Sequence, residues 1–375
     1  MRTLTVGWYG HGNIGDELLS IASFKILQDA FGQSPVIASV NPRTTAQSIQ
    51  GLLPDAEPKI VTWPESLGLK SFASLSLLRT IGNVMTTDLV CIGGGGMLSD
   101  WKGSKVHRWL EFISLCKRIG KKTALLGIGA GPFFDKSIAE RIGTIIDKDV
   151  DLIITRDLES KRYLEEDAGV TKQITVLTDL VFYLTDIIRH ESIRDDSIVA
   201  NFIPFSDLSK SYIENIVTFL RAISKDKVVK LLPFHESDLE FNRMLRQQVK
   251  TENLQVLPLQ SSDGVIETLN SCDTAILTRY HSIVLCTILG VPFIPLVYHH
   301  KSAELVHIVG LDEYALNIGD GSQWKRGIPS SQEYLDSINR IQDRQDTIIK
   351  TINLASNRQR TKSKQYVRHL KELPK

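Results

Sequence analysis

Short apolar runs alternate with longer amphipathic segments along most of this chain, and the alternation breaks once and then restarts at similar spacing. In the first half, strand-like runs occupy Leu4–Tyr9, Val36–Val40, Leu89–Ile92, Thr123–Ile128, Leu152–Thr155 and Ile174–Leu177. Helix-like spacing fills Asp16–Phe31, Lys105–Arg118, Lys136–Asp147 and Leu158–Ala168 between them. Strands separated by helices pair in parallel, because the helix is the crossover that returns the chain to the same edge of the sheet. A polar stretch, Arg189–Asp196, then reads as a linker. Beyond it come Ser197–Phe202, a helix from Ser209, Val228–Pro233, a helix from Asp238, Leu254–Leu257, a helix near Asp263, Thr274–Leu277 and Phe293–Val297. The pattern predicts an α/β protein with two Rossmann-like doubly wound domains, residues 1–188 and 197–329, followed by a polar helical extension over 330–375. At 375 residues and 42% hydrophobic the chain is long enough for two cores.

Several function classes fall away on composition. A formal net charge of +1 provides no global field for nucleic acid. Cys91, Cys116, Cys272 and Cys286 lie far apart in apolar stretches, as reduced core residues of a cytoplasmic protein do. The N-terminus runs straight into a strand pattern with no signal-peptide h-region, which argues against secretion. The longest apolar tract, Thr274–Tyr298, contains Arg279, His281 and two prolines, so it reads as strand, turn, helix and strand rather than a membrane span. Residues 358–375 carry seven Lys or Arg against a single Glu. Without an apolar stripe this is a solvated helix face, with peripheral attraction to anionic lipid at the inner face of a membrane as the alternative. Asp207, Asp263 and His299-His300 show no metal-ligand spacing, and oligomeric state leaves no signal.

Chemistry concentrates where strands give way to helices. Arg279-Tyr280-His281 joins the apolar runs Asp273–Thr278 and Ile283–Leu289. A guanidinium at such a joint needs an anion or a carboxylate. The joint is therefore a candidate anion-binding active site, against the alternative that Arg279 pairs with a neighbouring Asp and His281 is a core histidine. Arg156, after the run Leu152–Thr155, is a second arginine at such a joint. With the two domains facing across a cleft, Arg156 and Arg279 both reach a ligand with more than one anionic group. The alternative for Arg156 is a pair with Asp157 or Glu159. His235 is a candidate rim residue, and Lys301 adds positive charge after Phe293–Val297.

Three runs end in glycine: Gly10-His-Gly-Asn-Ile-Gly15, Gly93-Gly-Gly-Gly96 and Gly127-Ile-Gly-Ala-Gly131. Their loops open on the carboxyl edge of one sheet, where open α/β domains bind ligands. The first satisfies G-x-G-x-x-G in the strand-to-helix context of a dinucleotide site. The second strand, however, ends Ser39-Val-Asn-Pro-Arg43 with no acid for a ribose, leaving only Ser39 and Arg43 for an NADP phosphate. Asp16 and Glu17 in the first helical turn would repel a pyrophosphate. A hydroxyl-rich sugar suits Asn13 and Asp16 better.

Taken in order, Gly12-Asn-Ile-Gly-Asp-Glu17, Gly93–Gly96, Gly127–Pro132, Arg156-Asp-Leu-Glu-Ser160, Arg279-Tyr-His-Ser282, Gly290-Val-Pro292 and Tyr298–Lys301 resemble the polysaccharide pyruvyltransferases. The resemblance spans residue 1 to about 310. It implies a fold similar to the two-domain GT-B architecture and transfer of pyruvate from phosphoenolpyruvate, as a ketal, to a sugar of a cell-surface polysaccharide or its precursor. It further implies that Arg156 and Arg279-Tyr280-His281 grip phosphoenolpyruvate while the glycine edge, with Gly94 and Gly95, faces an acceptor that is polymeric, lipid-linked or nucleotide-linked. His281 is then the expected acid, the two arginines stabilise the departing phosphate, and no metal or organic cofactor is needed. Competing expectations are a GT-B glycosyltransferase using a nucleotide sugar, an NADP-binding protein using Gly10–Gly15 and Arg43, and a non-catalytic carbohydrate-binding protein.

Overall fold

The computed structural model describes residues 1–64, 75–100, 105–190, 192–204, 210–319 and 325–374, which leaves Asp207 and the expected helix start at Ser209 outside the described residues. The first half runs β1 (Thr3–Val6), α1 (Ile14–Phe31), β2 (Val36–Ser39), α2 (Pro42–Leu52), β3 (Lys59–Thr62), α3 (Leu75–Thr86), β4 (Leu89–Gly93) and α4 (Val106–Arg118). It continues with β5 (Lys122–Ile128), α5 (Lys136–Asp149), β6 (Leu152–Thr155), α6 (Leu158–Arg162), β7 (Thr175–Val176) and α7 (Thr185–Ile188). The second half runs β8 (Ile198–Asn201), α8 (Lys210–Ile223), β9 (Val229–Leu231), α9 (Glu236–Val249), β10 (Leu254–Val256), α10 (Ser262–Ser271) and β11 (Thr274–Leu277). It ends with α11 (Tyr280–Leu289), β12 (Phe293–Val297), α12 (His300–Val309), β13 (Leu316–Asn317), α13 (Ser331–Asp343), α14 (Gln345–Ser363) and α15 (Gln365–Glu372).

The strands form two all-parallel sheets, ordered β3-β2-β1-β4-β5-β6-β7 and β10-β9-β8-β11-β12-β13. Each is the doubly wound order, in which strand succession reverses beside the first strand. Central strands are buried on both faces, as β4 and β11 are throughout, and so they read as unbroken apolar runs. The two strands absent from the sequence reading, β3 and β13, both lie at sheet edges. Their part-exposed residues remove the apolar run that marks a strand.

Two compact units emerge: residues 1–12, 16–184 and 359–375 in one, and 13–15 and 185–358 in the other. The segment expected as a separate extension is thus shared. Ser330 opens α13 with a capping box to Glu333, and Tyr334 of that helix packs 5.1 Å from the Phe219 ring in the second unit. Within the first unit, α15 buries Tyr366 and Leu370, a helical i,i+4 pair, and the Tyr366 hydroxyl donates to the Thr178 carbonyl at 2.6 Å. All four cysteines are free and buried, and burial raises each thiol pKa. Among the described residues, no helix is long and apolar enough to cross a membrane.

Candidate active site

In the second unit the sheet's reversal point lies between β8 and β11, and the side chains singled out there converge. Arg279 follows β11 as the N-cap of α11, and its backbone N–H donates to Asn201 Oδ1, at the end of β8, at 2.9 Å. Its guanidinium grips Asp238, on the first turn of α9, with Nε at 3.1 Å from Oδ2 and Nη2 at 2.5 Å from Oδ1. Asp238 is fully buried and also accepts the Phe234 N–H at 3.1 Å, whereas the Arg279 side chain keeps 25% exposure. A pairing with an Asp, the alternative weighed from sequence, is thus present, but with Asp238 from 41 residues away rather than a neighbour in the chain, and it orients a guanidinium whose fork has five N–H donors.

The flanking side chains follow the same logic. Tyr280 is buried edge-on to His281, with ring centroids 5.3 Å apart. His281 lies against Gly15: a Cβ there would stand 2.2 Å from His281 Nδ1, so only glycine fits under the ring. Asn13 Oδ1 accepts the Gly15 N–H at 2.9 Å, and the Ile14 N–H donates to the Phe234 carbonyl at 3.1 Å, which pins the turn beside the β9–α9 joint. His235 and His299 do something sequence reading missed. Each N-caps its helix, α9 or α12, with Nδ1 accepting from the Ser237 N–H or the Lys301 N–H at 3.2 Å. An accepting Nδ1 leaves Nε2 as the ring nitrogen able to donate. Lys301 lies over the Tyr298 ring, 6.0 Å from its centroid.

The first unit holds Asp16, Gly94, Gly95 and Arg156. Arg156, after β6, is enclosed: its side chain is 4% exposed, with Nε 3.3 Å from Asp157 Oδ2 and Nη1 3.5 Å from Asp179 Oδ2. Asp157 caps α6 through the Ser160 N–H at 2.7 Å, and Ser160 Oγ accepts the Ala130 N–H at 3.0 Å. A Cβ at Gly129 would stand 2.9 Å from Arg156 Nη2. The pairing with Asp157 considered from sequence is present, but buried and extended to a second carboxylate. Gly94 and Gly95 are buried, and their backbone is committed: the Gly94 N–H donates to the Leu126 carbonyl and the Gly129 N–H to the Gly95 carbonyl, both at 2.8 Å. Gly96 is the exposed member of that run.

Glu17 answers the dinucleotide expectation. It is buried, its Oε1 accepts the Gly10 N–H at 2.6 Å, and its Oε2 accepts from Thr45 Oγ1 at 3.0 Å. The loop amide that a pyrophosphate would use is therefore bound to a carboxylate of the chain itself. Thr45 Oγ1 also lies 2.8 Å from Ser39 Oγ, and Arg43 is exposed on α2. Burial raises the Glu17 pKa, and burial pushes the Tyr9 phenol, hydrogen-bonded to the Gly93 carbonyl, up to about 12. Asp16 is half-buried on the same turn as Glu17. Among the described residues no group of His, Cys, Asp and Glu is arranged to hold a metal.

Residues 13–300 match the family model described as polysaccharide pyruvyl transferase. No curated protein sequence matches the chain. Among solved structures it is similar to Anabaena Alr3699/HepE in complex with UDP and glucose, at 12% identity and TM-score 0.63 over 100% of both chains. A putative UDP-N-acetylglucosamine 2-epimerase from Listeria monocytogenes shows 9% identity and TM-score 0.62 over 95% of this chain and 94% of that one. A Rickettsia africae glycosyltransferase shows 14% identity and TM-score 0.63 over 98% and 96%. At these identities the likeness is one of fold, the GT-B type with two Rossmann-like domains.

Proposed function

The chain belongs to the polysaccharide pyruvyl transferase family, and on that premise we propose that it transfers pyruvate from phosphoenolpyruvate to two hydroxyls of a sugar in a cell-surface polysaccharide or its precursor. The product is a cyclic ketal, and phosphate is released. The observation that carries the reading is the Arg279–Asp238 pair at the reversal point of the second sheet, a part-exposed guanidinium oriented by a buried carboxylate. Phosphoenolpyruvate presents a carboxylate and a phosphate that such a fork binds by charge-assisted hydrogen bonds.

In the reaction the methylene carbon gains a proton, and the neighbouring carbon, which develops oxocarbenium character, is attacked by one sugar hydroxyl. The second hydroxyl then displaces phosphate. Of the two hydroxyl protons, one balances the new methyl group and the other leaves with phosphate. His281 is the acid at the methylene carbon in this scheme, Arg279 stabilises the departing phosphate, and Asn13 orients the acceptor. His281 Nδ1 lies against Gly15 and Nε2 is enclosed, so the acid role requires the Asn13–Gly15 turn to move off the ring as the donor binds. Arg156 lies within the first unit, packed against Gly129 and paired with Asp157 and Asp179. The scheme draws on no metal or organic cofactor.

A second reading, a glycosyltransferase using a nucleotide sugar, is favoured by the fold shared with a UDP-bound protein. Thermal-shift titration with phosphoenolpyruvate, uridine diphosphate and NADPH separates the readings, because a ligand of the native state raises its apparent stability. Saturable stabilisation by phosphoenolpyruvate, lost in Arg279→Ala, is the expected result. A response to uridine diphosphate alone would transfer the assignment to the second reading.

A further inference from the structure

The second unit carries a groove that the chemistry at Arg279 does not use. It lies where α9 packs beside β10, the edge strand of its sheet, and its volume is about 420 Å³. Small-molecule sites span about 300–1,000 Å³, so the groove is of that size. Leu239 of α9, with Val256, Leu257 and Pro258 at the end of β10, forms an apolar wall. Arg243, Arg246 and Gln247 of α9 line the rest. The run Leu257-Pro-Leu259 stays partly open to solvent, with Leu259 38% exposed.

Ordinary helix packing accounts for part of this. Leu239 is buried, and Arg246, in the last turn of α9, complements the helix dipole. It does not account for the pair of arginines. Arg243 and Arg246 stand three residues apart, so they leave one helix face about 5–6 Å apart at Cβ and repel each other. Among the described residues neither guanidinium has a hydrogen-bond or ion-pair partner, although Glu240 lies three residues before Arg243. Arg246 is moreover half-buried, and a part-buried cation without a counter-charge is stabilised by an anion.

Two guanidiniums one helical turn apart suit a single compact group with several oxygens, on which both forks converge. A phosphate monoester, with about two negative charges at neutral pH, is such a group. The carboxylates of an acidic peptide, by contrast, come singly and spaced along a backbone. All four residues of the wall beside the arginines are aliphatic, which suits a hydrocarbon chain rather than a stacked ring. A volume at the low end of the small-molecule range leaves room for one chain.

We propose that this groove binds a single-chain aliphatic phosphate monoester, with the phosphate on Arg243 and Arg246 and the chain along Leu239, Val256, Leu257 and Pro258. The ligand is an amphiphile, and its site stands independently of the pyruvyl-transfer reading.

Calorimetric titration of the full-length protein with geranyl phosphate, kept below its aggregation threshold, tests the assignment against inorganic phosphate, geraniol, dihexanoyl phosphatidic acid and a hexaglutamate peptide. The expected result is saturable binding of geranyl phosphate, with inorganic phosphate and geraniol each at least tenfold weaker, since one lacks the chain and the other the charge. Joint Arg243→Gln and Arg246→Gln substitution weakens geranyl phosphate at least tenfold and flattens its salt dependence. Leu257→Ala weakens it at least threefold and leaves the salt dependence in place. Near-ultraviolet circular dichroism checks that each variant is folded. Absence of saturable binding, or binding indifferent to the arginine substitutions, overturns the proposal. Inorganic phosphate or geraniol binding as tightly as geranyl phosphate overturns it as well, because one half of the ligand would then do nothing. Tighter binding of dihexanoyl phosphatidic acid or of hexaglutamate, lost in the double variant, overturns it in favour of a phospholipid headgroup or an acidic protein. Geranyl phosphate binding that persists in Arg279→Ala is the result expected of a separate site, and its loss there would move the phosphate to Arg279.

Discussion

Arg156 and Arg279 look alike in sequence, each ending an apolar strand and preceding a helix with an acid nearby, yet their environments are opposite. Arg156 is sealed between two carboxylates, beyond β6 and two strands from the reversal point of its sheet. Arg279 is gripped by Asp238, stands at the reversal point of its sheet and keeps a quarter of its side chain exposed. A buried guanidinium with two counter-charges has its electrostatic needs met internally. One held by a carboxylate but with an open side is still suited to an anion. Topological position separates the two, because crossovers leave the crevice open at the reversal point and close over the strand ends elsewhere.

The largest effect that could break this contrast is on stability. Arg156→Ala leaves Asp157 and Asp179 buried without their cation, and removing one partner of a buried ion pair costs about 3–5 kcal/mol. Urea denaturation is expected to show a loss of that order. A variant of wild-type stability that no longer responds to phosphoenolpyruvate would instead make Arg156 a ligand contact and erase the difference between the two arginines.

Arg279→Lys comes next. It keeps the charge but not the two-pronged grip on Asp238, so stability falls by about 1–2 kcal/mol for the weakened charge-assisted contact. Phosphoenolpyruvate-dependent phosphate release with an accepted sugar falls about 100- to 1,000-fold, the range seen when one preorganised donor to a developing charge is lost. Unchanged turnover would place Arg279 with Arg156, as a purely structural residue.

Gly15→Ala probes the closeness of the turn to His281. Alanine improves helix propensity by about 1 kcal/mol, but its Cβ would stand 2.2 Å from His281 Nδ1. Overpacking of this kind costs about 1–3 kcal/mol. A net loss in thermal denaturation is therefore expected, whereas a net gain would show that the His281 ring shifts freely and that glycine is not required beneath it.

How much of this was legible beforehand follows burial. Thr274–Leu277, Leu152–Thr155 and Phe293–Val297 coincide with strands of the structure, because central parallel strands have no polar face to interrupt them. Lys59–Thr62 and Leu316–Asn317 escaped because an edge strand is half solvated. In the site, Arg279 and His281 were visible because charge inside an apolar run is conspicuous. Asp238 as the partner of Arg279 was not, being 41 residues away. Arg243, Arg246 and Leu257 come from α9 and the end of β10, and no spacing along the chain announces that they line one groove. Buried Gly94 and Gly95 show the converse: a glycine run reads as an open cradle, but its amide and carbonyl groups are spent on the neighbouring loop.

The smallest effect is the pH dependence contributed by Glu17, and it tests whether the first edge turns its charge inward. Burial holds the Glu17 pKa above its ordinary 4.5, so between that value and the raised one the folded chain binds a proton that the unfolded chain has released. Stability from this group is therefore fully present below pH 4.5 and is lost as pH rises through the window, with a slope no steeper than about 1.4 kcal/mol per pH unit for a single proton. Glu17→Gln keeps an acceptor for the Gly10 N–H and removes the titration. Unfolding free energies measured from pH 4 upward should show wild type losing stability relative to Glu17→Gln as the solution becomes less acidic. If wild type gains instead, the hydrogen bonds from Gly10 and Thr45 outweigh burial and the carboxylate is settled in its charged form. The Gly10 loop would then be neutralised by a resident anion much as Arg156 is by its two aspartates, and a second anion would have still less reason to bind there.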